Sequence, residues 1–366
     1  MKAFSTFYED NVPRLRRKME AFNLKLNQES EAILKAFYHN MADLNEGGKY
    51  LRGLLVNLGY RLSGNEDCEV SDAAALAFEI FQTGVLIHDD VIDRARSRRG
   101  KKTLTVRYEE SLKERHITPP AEGDAIDHLT ESVAICCGDY LITAASSLLS
   151  EEYASHKEGM AVIREFEHII LDTIRGELLD VVLPCEIQDE KCNKEADLLI
   201  KSVYDIYHLK TSRYSVVGPL RLGMLLGGME QKKIDAVDAM ADELGIAFQI
   251  KDDILGIYGD AKKTGKDTGS DISEYKQTLL YAYVKTRMPE RMPELDVIYG
   301  KSNLTAEEVA KVQNLFEETG AKAFAEQEME VCFWNAEKKL EALEFIKNED
   351  KEIIRDFITY NRERMK

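Results

Sequence analysis

The chain has 366 residues, with 49 Lys and Arg against 66 Asp and Glu, for a formal net charge of −17. That balance excludes a broad basic face, so no nucleic-acid partner is expected. With only 22 glycines and 7 prolines, 31% charged residues and 8% aromatics, the composition favours long helices over an aromatic-rich β-sandwich.

The first residues carry early acids and no apolar signal core, which argues against a cleaved secretory signal. No run approaches the roughly 20 uncharged apolar residues that span a bilayer, so no transmembrane segment is expected. Cys68, Cys136, Cys137, Cys185, Cys192 and Cys332 form no C-x-x-C pair and read as reduced thiols of a cytoplasmic protein. Apolar residues recur at helical spacing: Leu51, Leu54, Leu55 and Leu58 form one stripe, and Phe78, Phe81, Gln82, Val85 and Asp89 another. Loops are expected at 109–127, 180–196, 259–275 and 288–305, the first being an insertion around Pro119-Pro120. No run alternates with period two. The expected fold is all-α, about ten to fourteen helices in one domain over residues 1–366.

The strongest chemical signal is H-D-D-V-I-D, with Asp89, Asp90 and Asp93. On a helix Asp89 and Asp93 share one face, and packing does not explain acids ending a core-facing stripe. Hard oxygen donors so arranged suit Mg²⁺, which also takes phosphate oxygens. Asp252 and Asp253 in F-Q-I-K-D-D repeat the pattern far downstream, which suggests two walls of one cavity. Bases stand where an anion needs them. Arg98 and Arg99 follow the first acids, and Lys49 and Arg52 follow a Gly-Gly turn. Lys210 and Thr211 are expected mid-helix, with Thr211 bonding back to a carbonyl and bending the helix. Lys262, Lys263 and Lys266 lie on a Gly-rich loop able to cover a phosphate. His88 reads as a satisfied helix histidine. There is no phosphate-binding GxxxxGK[ST], no GxGxxG and no GxSxG.

Together GGKYLR, HDDVIDRARSRRGKKT, GELLD at Gly176 to Asp180, KTS at Lys210 to Ser212 and FQIKDD resemble the trans-isoprenyl diphosphate synthase (polyprenyl synthetase) family. The likeness runs from about Gly47 to Lys276 and weakens towards Arg362. It implies the all-α terpenoid-synthase fold, a helical bundle around a deep central cavity, usually as a homodimer. It also implies head-to-tail condensation of isopentenyl diphosphate with an allylic diphosphate (dimethylallyl, geranyl or farnesyl). By this resemblance Asp89, Asp93 and Asp252 bind Mg²⁺. Arg98, Lys210, Gln249 and Lys266 contact the allylic diphosphate, and Lys49, Arg52, Gln82 and Arg99 hold isopentenyl diphosphate. Thr211 and the Lys210 carbonyl face the developing cation. The chain departs from the family at Gly256, where the last acid of the second motif usually stands. It departs also at Tyr50 and Gly53, often Arg and Pro, and after Thr103, where a His is common.

Product length is read from the helix before Asp89. Gly84 and Val85 are small, and the first bulky residue is Phe81, about 12 Å from the acids, with Phe78 about 16 Å away. At roughly 4–5 Å per isoprene unit, a farnesyl tail fits above that floor and one further condensation gives geranylgeranyl diphosphate. Another helix setting the floor would allow a longer-chain product, and a farnesyl product stays open. A class I terpene cyclase would need no second diphosphate site, against Lys49, Arg52 and Arg99. A non-catalytic synthase subunit should have lost Asp89, Asp90 and Asp93.

Overall fold

Helices dominate the computed structural model, which describes residues 1–29, 31–98, 100–118, 125–187, 196–259 and 269–363. In chain order they are α1 (Lys2–Asn27), α2 (Lys35–Asn45), α3 (Leu51–Leu62), α4 (Asp72–Ile92), α5 (Leu104–Glu114), α6 (Ala125–Tyr153), α7 (Gly159–Glu186) and α8 (Ala196–Ile206). An eleven-residue π-helix, Tyr207–Val217, leads into α9 (Gly218–Leu226) and α10 (Gln231–Tyr258). Then come α11 (Ser270–Ser273), α12 (Leu279–Arg287), α13 (Met292–Asp296), α14 (Ala306–Glu318), α15 (Ala321–Ala342) and α16 (Asn348–Glu363). Among the described residues the only sheet is a two-residue hairpin, β1 (Ser97–Arg98) against β2 (Lys101–Lys102), paired Ser97 to Lys102 and Arg98 to Lys101. The all-α expectation holds. Among the described residues the sixteen α-helices exceed the expected number, because short ones such as α11 and α13 carry no periodic signal.

The chain packs as two units, Phe7–Arg164 with Leu222–Gly228, and Met1–Thr6 with Glu165–Arg221 and Met229–Lys366. In the first, α4 lies against α3 and α6. The two apolar stripes form its core: Leu54, Leu55 and Leu58 of α3 and Phe78 and Phe81 of α4 are buried. Asp72, fully buried at the start of α4, is held by Arg14 at 2.5 and 3.0 Å and by Asn57 at 3.2 Å. In the second unit α10 packs on α15 and on the π-helix. Tyr275, Tyr281 and Tyr299 form an aromatic cluster there.

All four loop expectations need correction: within 259–275, residues 260–268 lie outside the described residues and α11 runs over Ser270–Ser273. Within 109–127, residues through Glu114 continue α5 and α6 begins at Ala125, while 119–124 lie outside the described residues. The helix is supported locally, since Glu109 pairs with Lys113 one turn on. The 180–196 stretch is helical through Glu186, with Pro184 accommodated near the end of α7. Between 288 and 305 lie a 3₁₀ turn and α13, and α14 starts on a capping box of Thr305 and Glu308. The membrane expectation also changes. The Cys68–Ile92 and Ala125–Tyr153 segments are long and apolar enough to span a bilayer by length and composition. The apolar window of the first is 72% buried, as a core helix is, whereas that of the second is only 33% buried.

Candidate active site

The first acidic motif stands at the C-terminal end of α4. Asp93 caps the helix, its N–H donating to the Asp89 carbonyl at 2.8 Å, and Arg94 turns the chain with a φ of 52°. Carboxylates at a helix C-terminus face the negative end of the dipole, so this placement is locally unfavourable and calls for a cation. Arg98 supplies one. The hairpin folds it back so that its guanidinium fork donates to Asp90 at 2.5 Å and to Asp89 at 2.8 Å. Burial lifts the Asp90 carboxyl above its ordinary range despite the Arg98 charge. Burial works to lower Arg98 as well, but Asp89, Asp90 and Asp93 outweigh it and hold the guanidinium above its usual value. The hairpin is tied down by Lys101 to Asp43 at 3.2 Å, Lys102 to Glu110 at 2.6 Å and Thr103 to the Ala95 carbonyl at 2.9 Å.

Lys49 and Arg52 sit at the start of α3, Lys49 exposed just ahead of it and Arg52 half-buried in its first turn. Bases at a helix N-terminus mirror the acids of α4, because both oppose the dipole and both suit a ligand of the opposite sign. Tyr50 adopts a left-handed φ of 56°, and the Gly53 N–H donates to Glu79 at 2.8 Å. A proline at 53 would have no such donor, which accounts for that departure from the family pattern. Gln82 and Val85 are half-buried on α4, while Phe78 and Phe81 are fully buried. Gly84 does not line a path as expected. A Cβ there would stand 2.8 Å from the Gly138 carbonyl oxygen and 2.8 Å from Ile142, so this glycine permits close packing of α4 on α6. His88 bonds the Ile135 carbonyl at 2.9 Å and is a structural histidine.

In the second unit the π-helix carries Lys210 and Thr211 at its centre. Lys210 lies 2.6 Å from Asp180 and 2.8 Å from Glu177 of α7. Gly176 allows this approach, since a Cβ there would meet the Lys210 backbone nitrogen at 2.4 Å. GELLD is thus a glycine for close contact followed by two acids at i, i+3 that receive the lysine. Thr211 donates to the Gln249 side chain at 2.5 Å rather than back to its own helix. Gln249 donates in turn to Asp253 at 2.7 Å, and Asp253 also accepts from the Tyr207 hydroxyl. Burial first, then the neighbouring Asp271, raises the Asp253 carboxyl far above its usual range. Asp252, beside it on α10, is half-buried. Tyr207, Glu177 and Asp180, which contact the candidate residues, and Asp271, which neighbours Asp253, were not among the candidates expected from the sequence. Arg99, Lys262, Lys263 and Lys266 lie outside the described residues.

Among the described residues no three His, Cys, Asp or Glu side chains gather into a preformed metal cage. The donor set still fits Mg²⁺, which needs only one or two carboxylates when phosphate oxygens and waters complete its shell.

The polyprenyl synthetase family profile matches residues 30–318. A geranylfarnesyl diphosphate synthase of Aeropyrum pernix is 27% identical, over 88% of this chain and 92% of that protein. A geranylgeranyl pyrophosphate synthase of Geoglobus acetivorans is 27% identical, over 93% of each. A solved geranylgeranyl pyrophosphate synthase of Corynebacterium glutamicum, complexed with isoprenyl diphosphate and magnesium, superposes with a TM-score of 0.82 at 27% identity over 99% of each chain. The fold is therefore the all-α terpenoid-synthase fold and the chemistry is prenyl transfer. The chain belongs to the polyprenyl synthetase family of trans-prenyl diphosphate synthases.

Proposed function

We propose that this chain condenses isopentenyl diphosphate head-to-tail with dimethylallyl, geranyl or farnesyl diphosphate, and that geranylgeranyl diphosphate is its final product. One observation carries the two-substrate reading: acids at the end of α4 suit a cation-escorted diphosphate, while Lys49 and Arg52 at the start of α3 suit a second diphosphate. Asp89, Asp93 and Asp252 would hold Mg²⁺, which when bound neutralises charge on the departing diphosphate. Arg98, Lys210, Gln249 and Lys266 grip that diphosphate, and Arg98 exchanges its carboxylate partners for phosphate oxygens on binding. Lys49, Arg52, Gln82 and Arg99 hold isopentenyl diphosphate. Thr211 and the Lys210 carbonyl face the developing allylic cation. As the allylic C–O bond breaks, the isopentenyl double bond attacks and a proton leaves to the released diphosphate. The apolar wall of Phe78, Phe81 and Val85 receives the tail and keeps water from the cation.

Residues 1–366 act as one synthase domain in this reading, since the family match runs through both packing units. A homodimer is supported by α7, where Leu171, Ile174, Leu178 and Val181 form an exposed apolar stripe at spacing 3, 4 and 3. A cytoplasmic location is supported by free thiols at Cys68, Cys136, Cys137, Cys185 and Cys332, with Cys192 outside the described residues.

Steady-state kinetics of two variants test the division of substrates. Arg52→Ala should raise KM chiefly for isopentenyl diphosphate and Lys210→Ala chiefly for the allylic partner. Equal effects of both changes on both substrates would refute it.

A further inference from the structure

Tyr207 opens the π-helix and has no role in the chemistry described above. It is 3% exposed, and its hydroxyl is engaged on both sides. The Leu279 N–H donates to it at 3.0 Å. Leu279 is the first residue of α12, after the cap at Thr278, so this N–H is one of the donors that the helix itself leaves unpaired. The phenolic proton therefore points away from Leu279, and its acceptor is Asp253 Oδ2.

From Asp253 the bonds lead to Thr211. Gln249 and Asp253 stand one turn apart on the same face of α10, which packs along the π-helix carrying Tyr207 and Thr211. The last torsion of an aspartate is soft, so a single bond does not fix its carboxylate plane. Tyr207 holds Oδ2 and leaves Oδ1 for Gln249, whose amide NH₂ donates to it at 2.7 Å. With its NH₂ so committed, Gln249 turns its amide oxygen to Thr211 and accepts from that hydroxyl at 2.5 Å. The Thr211 proton is thus spent on Gln249. Among the described residues no donor is directed at the Thr211 oxygen, so its lone pairs face away from Gln249.

We propose that Tyr207 is a positioning residue for Thr211. It fixes the Asp253 carboxylate, which fixes the Gln249 amide, which fixes the Thr211 hydroxyl with its lone pairs, and not its proton, towards the developing allylic cation. This rests on the prenyltransferase reading above. A hydroxyl that presented its proton would repel the cation, and a dipole held in place beforehand needs no reorganisation when the charge forms. The π-helix does not depend on these bonds for its own place. Asp242 of α10 accepts from Ser212 at 2.6 Å and bonds His208 at 2.7 Å on the same helix.

Single-turnover condensation of isopentenyl diphosphate with farnesyl diphosphate, at saturating Mg²⁺, reads the effect in the full chain. Tyr207→Phe keeps the ring and loses the hydroxyl. It should slow the step by about tenfold, while steady-state KM for both substrates and the Mg²⁺ concentration for half-maximal rate stay within about twofold of the parent. Thr211→Val removes the oxygen and should slow the step by about 10²-fold. The double variant should be no slower than Thr211→Val alone, because Tyr207 then has no hydroxyl left to orient. Additive losses in the double variant, or a Tyr207→Phe defect that excess Mg²⁺ repairs, would overturn the proposal. A neutron structure of the deuterated parent needs no variant, and it judges the proposal even where Tyr207→Phe does not fold. The Thr211 deuteron should lie towards Gln249 Oε1 and the Tyr207 deuteron towards Asp253, and either one found elsewhere would overturn the proposal. If the parent forms no prenyl product, the functional reading fails, while the neutron structure still judges the orientation of Thr211.

Discussion

Arg98 donates to Asp90 at 2.5 Å, reaching back eight residues from the hairpin onto the helix that ends at Ile92. That pairing explains how three acids are tolerated at a helix C-terminus. Losing one partner of a buried ion pair commonly costs about 3–5 kcal/mol. Asp90 is buried and Arg98 keeps 18% side-chain exposure, so Arg98→Ala should fall at the lower end, near 3 kcal/mol in chemical denaturation. It should also lower kcat by about 10²-fold, the effect of removing one donor to developing charge. Arg98→Lys keeps the charge but loses the fork and should recover stability better than rate. Full activity in Arg98→Ala would contradict this role.

Lys210 rests on two acids of α7, and Gly176 sets the distance between the helices. Gly176→Ala forces a methyl group against the π-helix backbone and should destabilise by about 1–3 kcal/mol. Asp180→Asn together with Glu177→Gln leaves the packing intact but loosens the lysine. That pair should raise KM for the allylic diphosphate by about tenfold, with little change for isopentenyl diphosphate. A change confined to isopentenyl diphosphate would show that Lys210 serves the other substrate.

Product length should respond to Phe81 and not simply to Gly84. Phe81→Ala opens the floor, so chains longer than geranylgeranyl diphosphate should appear by mass spectrometry. Phe81 is fully buried, so the change should also cost about 3–5 kcal/mol, and the assay belongs at low temperature. Gly84→Phe should chiefly destabilise the protein, because its ring would meet the α6 backbone. A folded, stable Gly84→Phe enzyme making farnesyl diphosphate would restore the simpler ruler.

His208 bonds Asp242 at 2.7 Å, and that hydrogen bond holds the imidazole above its ordinary value of 6.5, against the pull of burial. Arg213 opposes and Asp172 assists the shift. A raised folded pKa stabilises fully below the unfolded value, and the gain disappears as pH rises through the folded one. The Tm gap between the parent and His208→Gln should therefore be larger at about pH 6 than at about pH 9. An equal gap at both would show that the pair acts by packing alone.

Much of this was legible because acids ending an apolar helix stripe, as at Asp89 and Asp252, contradict ordinary packing. The partners were not legible. Asp180 and Lys210 are thirty residues apart, and only the approach at Gly176 joins them. Gly84 read as open space, since a sequence does not say whether a glycine faces a cavity or a neighbouring helix. The helical ends of the expected loops were hidden by Pro119-Pro120 and Pro184, which weigh on the local pattern more than on the helices before them.

Incubation of the purified protein with Mg²⁺, isopentenyl diphosphate and farnesyl diphosphate, with the products read by mass, tests the condensation most directly. Geranylgeranyl diphosphate should form only when both substrates and Mg²⁺ are present, and excess chelator should abolish it. A hydrocarbon or alcohol formed from farnesyl diphosphate alone, or no product with any allylic diphosphate, would contradict it.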